Sequence, residues 1–231
     1  TPGSIRELEA KIDSALTEAS ITSESENGRL WADSYSARGK ITVKSQTGSI
    51  EASAIGVGGD FFLFHPFYLL DGSYFSGSDL MQDHVILDED AAWQLFGSTN
   101  VTGMTVEISG VPHLISGVIE REDGSLNKKA GGNELTVYVS YDTLSKYGVN
   151  KGINTYEIVL PNPISGFALS VIEKNIGVEK SEVVLVENSS RFSLLPLLAV
   201  IKNFGSRSMN TKAVIYPYWE NAARCMEDVL A

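Results

Sequence analysis

The chain has 231 residues, of which 43% are hydrophobic and 20% charged, the balance expected of a globular protein. A chain of this length buries roughly three quarters of its unfolded surface, which is enough for one large domain or two small ones. The formal net charge is −11. This acidic balance argues against nucleic acid as a partner, because a phosphate backbone requires a basic face.

The charges are distributed unevenly along the chain. No lysine or arginine lies between Lys44 and Arg121, and no acidic residue lies between Glu187 and Glu220. Two interpretations stay open. In the first, the acidic part is a solvated surface that keeps the protein soluble. In the second, it attracts cationic peptides, while the basic part lies near anionic lipid headgroups.

The sequence lacks the patterns that indicate catalysis or a cofactor. The three histidines, His65, His84 and His113, are far apart, and the single cysteine, Cys225, excludes an internal disulfide. The segment Gly56–Asp60 lacks the GK[ST] ending of a phosphate-binding loop, so its glycines are interpreted as turn residues. We therefore predict no catalytic residue, no cofactor and no metal site, and we expect a protein that is not an enzyme.

The chain also lacks a segment long enough to cross a bilayer. The longest purely apolar run, Leu194–Ile201, has eight residues and contains Pro196, whereas a spanning helix needs about 20. The chain starts just ahead of one predicted helix and stops inside another. We therefore expect a domain taken from a longer protein.

The N-terminal part predicts one helix followed by three strands. Ser4 and Glu7 form a capping-box pattern, and apolar residues at helical spacing continue to Ala19. The β-rich pieces are Leu30–Ala32, Ile41–Val43 and Ile50–Ile55, with turns expected at 37–39 and at 47–48.

The middle of the chain is acidic and aromatic. Phe61 and Phe62 follow the glycines, and a strand over Val85–Leu87 leads into a helix capped by Asp88 and ended by Gly97. Val106 to Ile119 predicts a hairpin that turns at Gly110. The segment 122–133 is expected to be an exposed loop.

The pattern of helices and strands continues to the C-terminus. A strand ending at Tyr141 precedes a helix over 142–147. A strand over 156–160, a helix over 164–176 and a strand over 183–186 predict a β-α-β unit. Further helices are expected from near Pro196 and from Pro217 to Leu230.

The order of motifs from Ile50 to Ile119 carries a family resemblance. The ordered pieces "GV, DFF, LLDGSYFS, VILDEDAAWQLFG, VTGMTVEISGVPHLISGVIE" resemble the MacB-like extracytoplasmic core domain of ABC transporter permeases, a group that also contains FtsX-like permeases. The positions that match the family pattern, all interpreted as structural, are Gly56, Val57, Asp60, Phe61, Phe62, Gly72, Tyr74, Phe75, Leu95, Phe96, Gly97, Gly103, Gly117 and Val118.

The resemblance implies an α+β fold with a discontinuous architecture. A porter-like membrane-proximal domain, built from β-α-β units, is expected over 1–57 and 153–231. An inserted, mainly-β distal (Sabre-like) domain with some helix is expected over 58–152.

The resemblance also implies a function and a set of partners. It implies a non-catalytic domain outside the cell membrane that couples ATP-driven motion of transmembrane helices to the export or relay of a substrate. The implied partners are a cytoplasmic ABC ATPase, a second permease copy or a paralogue, and, from the acidic surface, a cationic peptide. Two alternatives stay open: a surface module that binds a ligand through the aromatic-rich segment 61–75, and a hydrolase that uses Asp79 and Asp83.

Overall fold

The computed structural model describes residues 1–23, 28–76, 79, 81–121, 134–178 and 182–186. The chain separates into two compact units, residues 1–168 and 169–231. The elements lie in the following order: α1 (Pro2–Glu18), β1 (Ala32–Lys44), β2 (Ser49–Gly59), α2 (Phe61–Phe64), β3 (Leu69–Gly72), β4 (His84–Asp88), α3 (Glu89–Phe96), β5 (Thr105–Ile108), β6 (Val111–Ile119), β7 (Thr136–Ser140), α4 (Tyr141–Tyr147), β8 (Val149–Asn150), β9 (Thr155–Val159) and α5 (Phe167–Asn175).

The sheet of the first unit closes on itself through strand β1. Six strands follow one another as β1, β2, β7, β4, β6 and β5, and β5 then pairs with β1 again through Val43–Ile108 and Lys44–Glu107. The pairings β2–β7 and β4–β6 are parallel, and the other four are antiparallel. Strand β3 adds to β6, and strands β8 and β9 add to β1. The result is a ring of six strands with short additions.

The ring encloses one hydrophobic core, and a second core lies on its outer face. Val85 and Leu87 of β4 belong to the interior core, whereas Ile86 belongs to the outer one. Because side chains alternate between the two faces of a strand, β4 is buried on both faces. This accounts for the continuous apolar run Val85–Leu87, which is typical of strands covered on both sides.

A bulge in β6 adjusts the alternation of its side chains. Val85 pairs with Ile115, but the next residue of β4, Ile86, pairs with Gly117, so β6 carries one extra residue. Ile115 and Val118 consequently both face the interior core although they are three positions apart.

Several predicted elements are confirmed. Asp88 caps α3, because its Oδ1 accepts the Ala91 amide at 2.7 Å, and Gly97 ends the helix in the left-handed conformation. The hairpin of β5 and β6 turns at Ser109 and Gly110, which both have positive φ. The predicted α+β class is confirmed, because helices accompany one sheet that contains both parallel and antiparallel pairings.

The start of α1 differs from the prediction. The N-cap is Thr1, whose side chain accepts from the Ser4 amide, and Pro2 occupies the first turn. Ser4 therefore lies inside the helix and does not cap it. A proline is favourable in the first turn because its nitrogen has no hydrogen to leave unpaired.

Strand β1 is continuous where a turn was predicted at Ala37–Gly39. It runs through all 13 residues and pairs with β2 from Ser34 to Lys44. A Cβ on Gly39 would lie 2.5 Å from the carbonyl oxygen of Val149. The glycine is therefore explained by the close approach of β8 and not by a turn.

Gly56 and Gly58 likewise lie inside a strand, so their interpretation as turn residues was wrong. A Cβ on Gly56 would lie 2.7 Å from Leu144 of α4, and one on Gly58 would lie 2.1 Å from the ring of Tyr35. Gly59, at the end of β2, has a φ of 63°. Only this last glycine supplies a backbone conformation that favours glycine.

The described part of the second unit also differs from the prediction. Helix α5 enters it with Val171 and Ile172 buried, and begins at Phe167 rather than at Ile164. Residues 183–186 do not form a strand, and Val184 is 89% exposed. An apolar, β-branched run indicates a strand only where a neighbouring strand supplies hydrogen bonds.

The predicted loop at 122–133 and the helices after residue 187 lie outside the described residues. Within the described ranges, no helix combines the length and the apolar character needed to cross a membrane. The division into a porter-like domain (1–57 and 153–231) and an inserted domain (58–152) stays a prediction. Strand β2, which the prediction assigns mostly to the porter-like domain, pairs with β7, which it assigns to the inserted domain.

Replacing Gly56 by alanine is expected to destabilise the protein by about 1–3 kcal/mol, because the added methyl group must displace Leu144 in a packed core. Gly48→Ala is the matched control, since its new methyl group would meet its nearest neighbour at 3.6 Å, an ordinary contact. Urea unfolding measures both changes. Equal stability of the two variants would contradict the packing described for β2 and α4.

Candidate functional site

Polar side chains gather where helix α1 meets the beginning of β1. We call this group the polar cluster. It draws on α1, the segment before β1, β1 itself, the junction of β2 and α2, and β9. Its members are Glu9, Asp13, Arg29, Trp31, Asp33, Ser34, Asp60, His65, Tyr156 and Glu157.

The sheet register brings these residues together. Strand β1 lies between β2 and β9 here, so Ser34 is opposite both Gly59 and Glu157. The Asp60 amide donates to the Asp33 carbonyl at 2.8 Å. A Cβ on Gly59 would lie 2.6 Å from that same carbonyl oxygen. Glycine at the end of β2 therefore allows the chain to turn closely over Asp33.

Asp33 is the buried centre of the polar cluster. Its side chain is 1% exposed, and its Oδ2 accepts from the Tyr156 hydroxyl at 3.1 Å. Burial raises the pKa of Asp33, although the Tyr156 hydroxyl and the Arg29 charge act in the opposite direction. Burial, followed by the neighbouring Asp33 carboxylate, also raises the pKa of Tyr156.

Arg29 joins two carboxylates. Its guanidinium donates to Asp60 at 2.6 Å and to Asp33 at 3.3 Å, and it lies 5.5 Å from the centre of the Trp31 ring. The Arg29 side chain is 59% exposed. Because solvent screens exposed ion pairs, these contacts position Asp33 and Asp60 more than they stabilise the fold.

Helix α1 reaches the polar cluster through two acidic side chains. The indole N–H of Trp31, which is 8% exposed, donates to Asp13 at 2.7 Å. Burial, followed by the neighbouring Asp33 charge, raises the pKa of Glu9. A cavity of about 350 Å³ opens beside these contacts and is lined by Glu9, Asp13, Arg29 and Trp31 together with residues 28 and 30.

Glu157 and His65 form an acid-base pair next to Asp33 in the sheet. Glu157 of β9 lies 2.5 Å from His65 Nε2 and accepts from the Ser34 hydroxyl at 3.2 Å. The hydrogen bond with His65 lowers the pKa of Glu157, against the effect of burial. His65 thus pairs with a carboxylate of a distant strand. The sequence had indicated a simple turn residue.

The aromatic-rich segment 61–75 is used mainly in packing. Phe61 and Phe75 are 6% and 7% exposed, and Phe62 stacks on Tyr74 with ring centres 4.6 Å apart. Tyr68, by contrast, is 70% exposed. Because most of these rings cover the outer face of the six-stranded ring, they are not available as a ligand-binding surface. The main support for the aromatic ligand-binding alternative is therefore lost.

The family-pattern positions occupy several parts of the fold. Gly56 packs against α4. The outer core contains, or is packed against by, Val57, Phe61, Phe62, Tyr74 and Phe75. The interior core contains, or is packed against by, Leu95, Phe96 and Val118. Gly72, Gly97 and Gly103 have positive φ, Gly117 lies in β6, and Asp60 accepts from Arg29. Of these positions, Asp60 alone belongs to the polar cluster.

Sequence reasoning missed most of the polar cluster. Glu9, Asp13, Arg29, Asp33 and Tyr156 were not singled out, because they lie far apart in the sequence. The acidic residues that had drawn attention serve other purposes. Asp88 caps α3 and accepts the Thr136 amide at 2.6 Å, and Asp90 pairs with Arg121.

The side chains of the polar cluster connect neighbouring elements of the fold. The described residues contain no group of three or more histidine, cysteine or acidic side chains placed to hold a metal ion. The carboxylates of the polar cluster are instead engaged with side chains of neighbouring elements. The cluster therefore ties α1 to β1 and β9.

Acidification is expected to remove the contribution of Glu157 to stability. Its lowered pKa means that this contribution is present above the ordinary glutamate pKa of about 4.3 and is lost as the pH falls through the lowered value. The free energy of unfolding should therefore fall less steeply with acid in Glu157→Gln than in the wild type. Glu107→Gln, at an exposed site of β5, is the control. Identical pH profiles of the wild type and Glu157→Gln would contradict the pairing with His65.

Comparison with known proteins places this geometry in a family. A family model described as the MacB-like periplasmic core domain matches residues 6–170. Among curated proteins, the macrolide export ATP-binding/permease protein MacB of Chromobacterium violaceum is 33% identical over 96 residues, 41% of this chain. The protein of the same name from Agrobacterium fabrum is 33% identical over 107 residues, 45% of this chain. The matched regions span 14% and 16% of these two relatives.

Solved structures of two extracytoplasmic domains are also similar. The extracellular domain of the noncanonic ABC-type transporter YknZ from Gram-positive bacteria matches with a TM-score of 0.46 and 15% identity, over 74% of this chain and 85% of that one. The periplasmic region of MacB from Actinobacillus actinomycetemcomitans matches with a TM-score of 0.46 and 20% identity, over 71% and 70%. The family model covers more than half of the chain, so the resemblance inferred from the motif order is confirmed. The chain belongs to the family of MacB-like periplasmic core domains.

Proposed function

We propose that this chain is a non-catalytic, extracytoplasmic part of an ABC transporter permease. In this role it couples ATP-driven motion of transmembrane helices to the export or relay of a substrate. The observation that carries the proposal is the family match over residues 6–170, which extends from α1 into α5. The domain would lie outside the cell membrane and be anchored to it by parts of the longer protein.

The absence of a phosphate-binding loop from the sequence is consistent with this division of labour. The relatives are named as ATP-binding/permease proteins, and the matched region is a small part of each. ATP hydrolysis would then be carried out by another segment or another polypeptide, in the cytoplasm. A cytoplasmic ABC ATPase and a second permease copy or a paralogue are the partners that the proposal requires.

The polar cluster supplies a physical route for the coupling. Motion passes between elements only when they are packed or bonded together, as in hinge and shear movements. Helix α1 is bonded to the residue just before β1, because the Trp31 indole donates to Asp13 at 2.7 Å. A displacement of α1 would therefore reach β1, and with it the six-stranded ring.

The acidic surface suggests the class of substrate. Glu107 and Glu120 are exposed, within the part of the chain from 45 to 120 that has no lysine or arginine, whereas the exposed Glu51 pairs with Lys40 of β1 at 3.8 Å. Such a surface attracts cations through the summed field of its charges. A cationic peptide is the substrate that this surface favours.

Breaking the bond between α1 and β1 should uncouple the transporter. In the native full-length protein, Trp31→Phe removes the indole donor and keeps an aromatic ring in place. Transport is expected to fall by about fivefold or more, the lower end of typical coupling energies, while ATP hydrolysis continues. Substrate transport and ATPase rates of the purified, reconstituted transporter measure the two quantities.

Trp93→Phe is the matched control, because Trp93 is 57% exposed on α3 and the chemical change is the same. Unchanged transport in Trp31→Phe would contradict the coupling route. If the native protein neither carried an ABC ATPase segment of its own nor co-purified from membranes with an ABC ATPase, the proposed function itself would be wrong.

A further inference from the structure

Strand β3 lies at an open edge of the sheet. Within the described part of the chain it pairs with β6 alone. Its last residue, Gly72, is exposed, and so are the neighbouring Tyr68 and Ser73. The outer side of an edge strand presents backbone N–H and C=O groups that have no partner in the sheet. The edge of β3 can therefore pair with another extended chain.

A bulge in β3 turns an apolar side chain outward. Leu69 is opposite Ile119 and Asp71 is opposite Val118, so Leu70 has no counterpart on β6. Bulges change the direction in which a side chain points. Leu70 is 39% exposed, whereas the adjacent Leu69 packs against the outer core. The bulge thus leaves Leu70 at the surface of the edge.

Tyr68 adds a second apolar group to this edge. Its side chain is 70% exposed, and it lies two positions before Leu70. Sites that bind an extended peptide combine an open strand edge with contacts for alternate side chains of the peptide. Tyr68 and Leu70 supply such contacts beside the unpaired backbone of β3.

The edge of β3 also carries negative charge. The Thr102 amide donates to Asp71 Oδ2 at 3.1 Å, and the contact with Thr102 lowers the pKa of Asp71. Glu120 is exposed and lies beside Tyr68, because its amide donates to the Tyr68 carbonyl at 2.8 Å. The cation that follows in the sequence, Arg121, is 15% exposed and pairs with Asp90. The carboxylates of Asp71 and Glu120 therefore favour a cationic ligand.

The other strands added to the ring lack this combination. Strand β9 has β1 as its strand partner, but its carboxylate, Glu157, is already paired with His65. Strand β8 has only two residues. Of these three added strands, β3 is the one that joins an open backbone edge to exposed apolar side chains and available negative charge.

We propose that the edge of β3 binds an extended, cationic peptide by strand addition. The peptide backbone pairs with β3, and apolar side chains of the peptide contact Tyr68 and Leu70. Lysine or arginine side chains of the peptide lie near Asp71 and Glu120. The use of this edge to hold a transported peptide rests on the proposed function, whereas binding itself follows from the contacts of this chain.

A synthetic peptide of alternating lysine and leucine, added to the 231-residue chain, tests the proposal. Fluorescence anisotropy of the labelled peptide gives its Kd, and hydrogen exchange gives the protection of backbone amides. The peptide should protect amides of β3 but not those of β4, which has a strand partner on both sides. N-methylation of the peptide amides along one edge should weaken binding by about tenfold or more, because it removes several backbone hydrogen bonds and keeps the charges and the leucines.

Two pairs of variants test the side chains. Leu70→Ser should weaken binding about fourfold, because the peptide covers the exposed fraction of this side chain. Leu114→Ser is the matched control, since Leu114 is 38% exposed but lies within β6, away from the edge, and it should bind as the wild type does. Glu120→Gln should weaken binding about twofold at low salt only, whereas the exposed Glu107→Gln should not.

Several results would overturn the proposal, and the exchange measurement on the wild type needs no variant to fold. They are the absence of binding, equal binding of the N-methylated peptide, equal binding of a peptide with glutamate in place of lysine, and equal losses in Leu70→Ser and Leu114→Ser. Protection of β3 that grows with protein concentration in the absence of peptide would assign the edge to a second copy of the chain, and would overturn the proposal as well.

The outcome is independent of the transport measurements. Binding to the isolated chain reports on the edge of β3 whether or not the parent protein is a transporter. Loss of peptide binding would leave the proposed function standing. Conversely, failure to find an ABC ATPase in or with the protein would leave the edge of β3 as a peptide-binding site of this fold.

Discussion

The pairing of β1 with its neighbours is the constraint on which the rest of the first unit depends. β1 runs beside β2 for 11 residue pairs, meets β5 at its far end and receives β8 and β9. The meeting with β5 closes the ring of six strands, and the closed ring encloses the interior core. The same strand carries Asp33 at its beginning and Val43 at its closure. One continuous backbone therefore connects the polar cluster with the hydrophobic interior.

The two ends of β1 are held by different kinds of force. At Val43 the contacts are apolar and lie in the interior core, so they are insensitive to pH. At Asp33 the contacts are hydrogen bonds and ion pairs around a buried carboxyl group. Buried charged networks contribute less to net stability than apolar packing of the same volume. The polar end is therefore the part of β1 where the strength of attachment can respond to conditions outside the protein.

Two neighbouring carboxyl groups respond to acid in opposite directions. The hydrogen bond with His65 lowers the pKa of Glu157, whereas burial raises the pKa of Asp33. The difference follows from their partners. Glu157 has a hydrogen-bond partner that favours the ionised state, while Asp33 is buried beside another acid.

Local sequence signals predicted the parts of the fold that local forces determine. Asp88 and Gly97 mark the ends of α3 because a cap needs only its own helix, and the turn at Gly110 needs only its own hairpin. Gly39 and Gly56 were misread because their reason lies in β8 and α4, which approach them closely from elsewhere in the chain. The polar cluster was missed for the same reason. Asp33 and Tyr156 are 123 positions apart, and no spacing rule connects them.

The proposed function requires that α1 and the six-stranded ring move as one body during ATP-driven transport. Its most direct test is the distance between spin labels at Lys11 of α1 and Val149 of β8 in the native membrane protein, with Cys225 replaced by serine. Lys11 and Val149 are both exposed. The account predicts that this distance stays the same with and without ATP, while the distance between Val149 labels in the two permease copies changes. A change in the distance from Lys11 to Val149, or a constant distance between the copies, would contradict it.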